Sequence, residues 1–179
     1  MLTLTDHWID QARRVPSPNF NERPDPEDIA LVVIHNISLP PERFGGPWIE
    51  AFFQNRLDPD ADPYFQTLRD LKVSSHFLIR RDGELVQFVA CDRRAWHAGV
   101  SRWRGRDNCN DFSLGIELEG ADRIPYEDAQ YRRLNALLDA LIAHYPKLSR
   151  DTLTGHEHIA PGRKTDPGPA FDWARLPPA

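Results

Sequence analysis

The chain has 179 residues, 40% of them hydrophobic and 27% charged, which is ordinary for a globular protein long enough to build one core without disulfides. Its net charge of −5 argues against nucleic acid as the main partner, because phosphate binding needs a basic face, and no apolar run reaches the roughly 20 residues of a membrane span. Cys91 and Cys109 form no close-spaced metal motif and read as reduced thiols; with no basic segment leading into an apolar run near Met1, a cytoplasmic protein is expected.

Residues 1–14 read as a short strand or helix edge. Residues 15–27 hold too many prolines for either and are expected to form an ordered arm on the surface. Residues 29–35, Ile-Ala-Leu-Val-Val-Ile-His, make a continuous β-branched run, the mark of a strand covered on both faces. His35 closes that run, and ligands gather where strands end and loops begin, so it is a candidate ligand. Residues 38–47 are a loop by every turn signal. Residues 48–57 repeat aromatics at helical spacing, expected as core, and Tyr64, Leu68 and Leu71 support a second short helix. Neither helix is expected to supply chemistry.

Residues 74–80 and 84–90 are apolar-rich runs joined through Asp82-Gly83, a hairpin signal. His76, at the start of the hairpin, is expected to be structural. Residues 93–106 alternate rings and cations, which in an acidic chain fits a small anionic or sugar-bearing ligand. Residues 113–119 alternate strictly, with Leu114, Ile116 and Leu118 on one face and Gly115, Glu117 and Glu119 on the other. A carboxylate on a central strand is costly unless paired or functional. Glu117 is therefore a candidate general base, with a salt bridge to an arginine as the alternative. Residues 128–145 give the clearest helix, carrying Leu134, Leu137, Leu138 and Leu141 along one side between Pro125 and Pro146.

Residues 155–168 crowd His156, Glu157, His158, Arg163, Lys164 and Asp166 into a loop bounded by glycines and prolines. Neutral imidazole and carboxylate are the ligands Zn²⁺ takes in a catalytic site, where three protein ligands leave a fourth position for water. Spacing alone leaves two chelating pairs open, His156 with His158 and His156 with Asp166. A phosphate-binding P-loop is excluded, because Arg163 separates Gly162 from Lys164 and Pro167 blocks a following helix. Phe171 and Trp173 read as an aromatic anchor for the tail. Together these elements predict an α+β fold, one domain over residues 1–179 with a central mixed sheet flanked by helices. The metal site is expected at one edge of the sheet, in a groove walled by residues 37–47 and 93–106, with residues 167–179 as a C-terminal tail.

Six blocks then carry a resemblance over nearly the whole chain: Ser17-Pro-Asn-Phe-Asn-Glu-Arg-Pro, Val33-Ile-His-Asn-Ile-Ser-Leu-Pro-Pro, Asn55-Arg-Leu-Asp-Pro, Trp96-His-Ala-Gly-Val-Ser, Cys109-Asn-Asp-Phe-Ser-Leu-Gly-Ile-Glu-Leu-Glu-Gly and Ala160-Pro-Gly-Arg-Lys-Thr-Asp-Pro-Gly-Pro. In this order they resemble the AmpD-type branch of the N-acetylmuramoyl-L-alanine amidases, the anhydromuropeptide amidases of Gram-negative cell-wall recycling. The resemblance implies Zn²⁺ held by His35, His156 and Asp166, with His158 outside the ligand set. A histidine at position 158 departs from the branch, which usually has another residue there. Similar phage and animal amidases carry cysteine where this chain has Asp166, so the carboxylate favours the recycling branch. Glu117 is then the expected general base and acid, and Lys164 the oxyanion stabiliser. Asn36, Trp96, His97, Arg106 and Arg163 are the expected substrate contacts. The implied partner is a small-molecule anhydromuropeptide, with no nucleic acid or membrane, and the protein acts as a monomer. The alternative is a non-catalytic muropeptide-binding module of the same fold, which loss of ligands would mark; here the ligands, Glu117 and Lys164 are all present.

Overall fold

A computed structural model describes residues 1–177; positions 178 and 179 of the expected tail lie outside the described residues. The N-terminus forms a two-stranded hairpin of Leu4–Thr5 (β1) and Trp8–Ile9 (β2), followed by an edge strand, Arg13–Arg14 (β3). The arm that follows lies largely on the surface, as expected, but three of its side chains anchor it. Ser17, Asn19 and Arg23 are buried, and Phe20–Glu22 (β4) pairs with Arg93–Ala95. The physical reason is the Arg23 guanidinium, which donates to the carbonyls of Cys91, Asn110, Asp111 and Ser113 and so satisfies a buried cluster of acceptors.

The predicted two-sided strand is Leu31–Ile37 (β5), shifted two residues toward the C-terminus of the apolar run because Asn36 and Ile37 continue its pairing. The hairpin is Phe77–Ile79 (β6) with Leu85–Gln87 (β7), its turn carried by Gly83 at φ +86°, where a side chain would be strained. Arg93–Ala95 is β8, and residues 93–106, expected as a loop, also contain the small hairpin Arg102–Trp103 (β9) with Arg106–Asp107 (β10). Ser113–Glu119 (β11) and Leu153–Gly155 (β12) complete the strands. Six of them form one mixed sheet in the order β12-β5-β11-β6-β7-β3. β12, β5, β11 and β6 run parallel, while β6 and β7 are antiparallel.

Strand alternation divides the core into two layers. On one face Val32, Ile34, Phe77, Ile79, Ile116 and Leu118 pack under Asp128–His144, the long helix, whose Leu134, Leu137, Leu138 and Leu141 are fully buried. On the other face Leu78, Val86 and Phe88 pack against Ile49, Phe52 and Phe53 of Trp48–Phe53 (α1), which makes the long helix α2. α1 stops short of the expected residue 57 because Asn55 sits at φ 58°, in the left-handed region. The second short helix is a 3₁₀ turn, Pro63–Leu68, begun by Asp62 accepting from the Tyr64 amide at 2.9 Å. Residues 155–168 are also not loop throughout, since His156–Ile159 folds as one helical turn (α3) directly after β12.

Candidate active site

The parallel register of β5 and β11 places Glu117 opposite His35. Both residues fall on the face opposite α2, as the alternation of each strand requires, and both lie near the C-terminal ends of their strands, where parallel sheets usually present ligands. β12 lies on the far side of β5 and ends at Gly155, so its first helical residue, His156, emerges beside His35. Asp166 returns to the same point because the Glu157 amide donates to its carbonyl at 2.9 Å.

Three ligand atoms meet there. His35 Nδ1 lies 3.0 Å from His156 Nδ1 and 3.0 Å from Asp166 Oδ2, and His156 Nδ1 lies 3.1 Å from the same oxygen. Tetrahedral ligands bonded to zinc at about 2.0–2.1 Å would stand roughly 3.3 Å apart, close to this triangle. The donor chemistry fits as well. His156 Nε2 lies 3.0 Å from the Ala98 carbonyl, which can only accept, so the neutral ring turns its Nδ1 lone pair toward the other two ligands. Burial pushes the His35 imidazole down to about 4, keeping it neutral.

The helical turn at α3 separates the two histidines that an extended segment would have aligned: His156 is buried and the His158 ring is 59% exposed. The converging group is therefore His35, His156 and Asp166. Glu117 stands beside it, 8% exposed, with Oε2 buried and without a hydrogen-bond partner among the described residues. Burial and the nearby Asp166 charge push its carboxyl well above the usual value, and Lys164 opposes them. The arginine pairing considered for Glu117 falls to Glu119, which lies 3.4 Å from Arg80.

A groove of about 320 Å³ opens over this cluster, lined by His35, Glu117, His156 and Asp166, with the exposed Lys164 on its wall. Residues 37–39, Pro41, Trp96 and His97 contribute walls, but residues 98–106 do not line it. Phe52, Tyr64, Leu68 and Leu71 form another wall that the sequence did not single out. Their apolar spacing looked like core, and only the tertiary arrangement leaves Tyr64 and Leu71 exposed there.

The candidate substrate contacts divide accordingly. Trp96 and His97 line the groove. Asn36 lines it too, yet its amide donates to Asp122 Oδ1 at 2.8 Å and to the Pro167 carbonyl at 3.1 Å, fastening the segment after Asp166. Arg106 is drawn away to Asp28 at 2.5 Å and lies over the Phe112 ring. Arg163 is turned to the carbonyls of Ala98 and Val100 at 2.6 and 2.8 Å. The structure does not bring these two arginines into the groove. His76 is buried between the Gly115 amide and the Arg93 carbonyl, the structural use expected of it.

Known proteins share the sequence and the fold of this chain. Residues 25–169 match the family model described as N-acetylmuramoyl-L-alanine amidase. The 1,6-anhydro-N-acetylmuramyl-L-alanine amidase AmpD of Citrobacter freundii is 59% identical over 98% of this chain and 93% of its own length. A crystal structure of a selenomethionine AmpD derivative superposes with a TM-score of 0.94 at 60% identity, covering 97% of this chain and 96% of the other. The E. coli amidase AmiD, solved in complex with anhydro-N-acetylmuramic acid-L-Ala-D-γ-Glu-L-Lys, is more distant, with a TM-score of 0.59 at 29% identity over 98% of this chain and 64% of its own. A match of this extent, in sequence and in fold, makes the chain a member of the N-acetylmuramoyl-L-alanine amidase family, on its AmpD-type branch.

Proposed function

We propose that this protein is a zinc amidase that hydrolyses the amide between the lactyl group of 1,6-anhydro-N-acetylmuramic acid and L-alanine of the stem peptide, in cytoplasmic peptidoglycan recycling. In this reading residues 1–179 act as one amidase domain and as a monomer. One observation carries it: His35, His156 and Asp166 converge to within 3.1 Å on the floor of a groove beside Glu117, a buried carboxylate whose Oε2 has no hydrogen-bond partner among the described residues. The names of the AmpD relatives and the muropeptide bound to AmiD supply the substrate class.

His35, His156 and Asp166 would hold the zinc, which supplies Lewis acidity, lowering the pKa of water from 15.7 to about 7 and polarising a carbonyl. Glu117, held above the ordinary carboxylate range by burial, takes the proton from the attacking water and delivers it to the departing amine of L-alanine. Lys164, exposed on the groove wall, sets a fixed cation beside the oxygen that becomes negative. Asp166 keeps one ligand anionic, and Asn36 with the Tyr126 hydroxyl holds the Pro167 carbonyl, which fixes the approach of Asp166.

Hydrolysis of anhydromuramyl-tripeptide in water labelled with heavy oxygen tests the reaction. Mass spectrometry is expected to find free tripeptide and the label in the lactyl carboxylate. Substrate that binds but stays whole would contradict the reading.

A further inference from the structure

His97 was expected to touch substrate, but its ring nitrogens are both engaged by the protein. His35 Nε2 lies 2.9 Å from His97 Nδ1, and His97 Nε2 lies 3.1 Å from Ser113 Oγ. The two rings stand at 89° with centroids 5.0 Å apart, edge against edge. The chain Ser113–His97–His35 has two settings, because each neutral imidazole carries one ring hydrogen. In the first, His35 Nε2–H donates to His97 Nδ1, His97 Nε2–H donates to Ser113, and the Nδ1 lone pair of His35 faces His156 and Asp166. In the second, every hydrogen is reversed, and a hydrogen on His35 Nδ1 points into the ligand triangle.

From this geometry we infer that His97 is a positioning residue: it accepts from His35 Nε2–H, locks that ring in the metal-binding tautomer, and is itself oriented by Ser113. This rests on the zinc-amidase reading of the site. The sequence builds the arrangement at Gly115 as well. A Cβ there would lie 2.6 Å from His97 Cγ, 2.7 Å from its Nδ1 and 2.7 Å from Ser75 Oγ, so the ring and the Ser75 hydroxyl occupy the space a side chain on β11 would fill. Gly115 has no positive φ, which leaves the close approach of the His97 ring and the Ser75 hydroxyl as the local reason for glycine. His156 has a matching outer partner in the Ala98 carbonyl, one residue beyond His97, so a single stretch orients both histidine ligands.

The first test is nitrogen-resolved NMR of the zinc-loaded parent protein. His35 and His97 are both expected as Nε2–H tautomers, and His97 as an Nδ1–H tautomer would overturn the inference. The second is zinc affinity by competition with a coloured chelator, joined to the visible spectrum of the cobalt(II) form. His97→Ala is expected to weaken zinc binding by about 10–100-fold and to alter the cobalt spectrum, the size typical for losing an outer partner of a ligand. His97→Asn, whose carbonyl stands near the Nδ1 position, is expected to restore most of the affinity, and Gly115→Ala, which displaces the ring, to reproduce the loss. If His97→Ala raises KM for the muropeptide while zinc affinity and the cobalt spectrum stay at parent values, His97 is a substrate contact and the inference fails. If the parent itself takes up no zinc, the underlying zinc-amidase reading fails first. The tautomer measurement needs no variant, so a misfolded His97→Ala protein does not remove the test.

Discussion

Glu117 and Glu119 share one face of β11, two residues apart, and their surroundings assign them opposite work. Glu119 Oε1 accepts from the Gly45 amide at 2.6 Å and Oε2 from the Arg81 amide at 3.2 Å, with Arg80 beside them. Its charge is spent on holding the 38–47 loop. Glu117 keeps an unpartnered oxygen and an elevated proton affinity, the property a base near the working pH requires. Glu117→Gln is therefore expected to retain zinc at parent stoichiometry while turnover falls by about 10²–10⁴-fold, and Lys164→Ala to lose about 10²–10³-fold. Metal analysis alongside turnover measures both, and parent turnover in either variant would remove that residue from the mechanism. Alternation in the sequence marked both glutamates. What tells them apart is contact with Arg80, Arg81 and Gly45, which local pattern does not encode. His156 and His158 carry the same lesson, because their two-residue spacing reads as alignment in a strand but as divergence in a helical turn.

At the scale of elements, α1 and the 3₁₀ turn after it give the groove its apolar wall, so the wall depends on how firmly α1 docks to the sheet. Glu50 of α1 supplies the polar clamp: it accepts from Arg13 on β3 at 2.6 Å and from Arg80 at 2.7 Å. The hydrogen bond from Arg13 is the larger cause, followed by Arg80 against an opposing burial effect, and the carboxyl is brought down from 4.5 to about 2. A folded-state value below the unfolded one means stability that is fully present above pH 4.5 and lost as pH falls toward about 2. With Arg13 half exposed and screened by solvent, Glu50→Gln is expected to cost about 1–2 kcal/mol near neutral pH. Urea unfolding across pH should find that gap narrowing in acid, and a gap independent of pH would refute the clamp. The strands β5, β6, β7 and β11 and the helix α2 were legible because their period is carried by their own residues. The anchoring of the surface arm was not, because nothing near Arg23 in sequence reveals the carbonyls of residues 91, 110, 111 and 113 that it satisfies.

Across the whole molecule, the site exists because three parallel strands end together. His35 is 121 positions from His156 and 131 from Asp166, and only the order β12-β5-β11 brings these residues and Glu117 to one point. From the residues alone, His35 and the 155–168 segment stood out as separate candidates, and the choice between His158 and Asp166 stayed open. The family resemblance favoured Asp166, and the structure gives the physical cause in the turn of α3 and the Glu157–Asp166 backbone bond. The long helix lies on the opposite face and supplies core without chemistry, and no helix among the described residues is long and apolar enough to cross a membrane. The central claim is that the convergence of His35, His156 and Asp166 serves a metal-dependent amide hydrolysis. The most direct measurement follows cleavage of anhydromuramyl-tripeptide by the purified protein as isolated, after exhaustive chelation, and after zinc is restored. The account predicts release of tripeptide that stops on chelation and returns with zinc; cleavage that continues after complete removal of metal would contradict it.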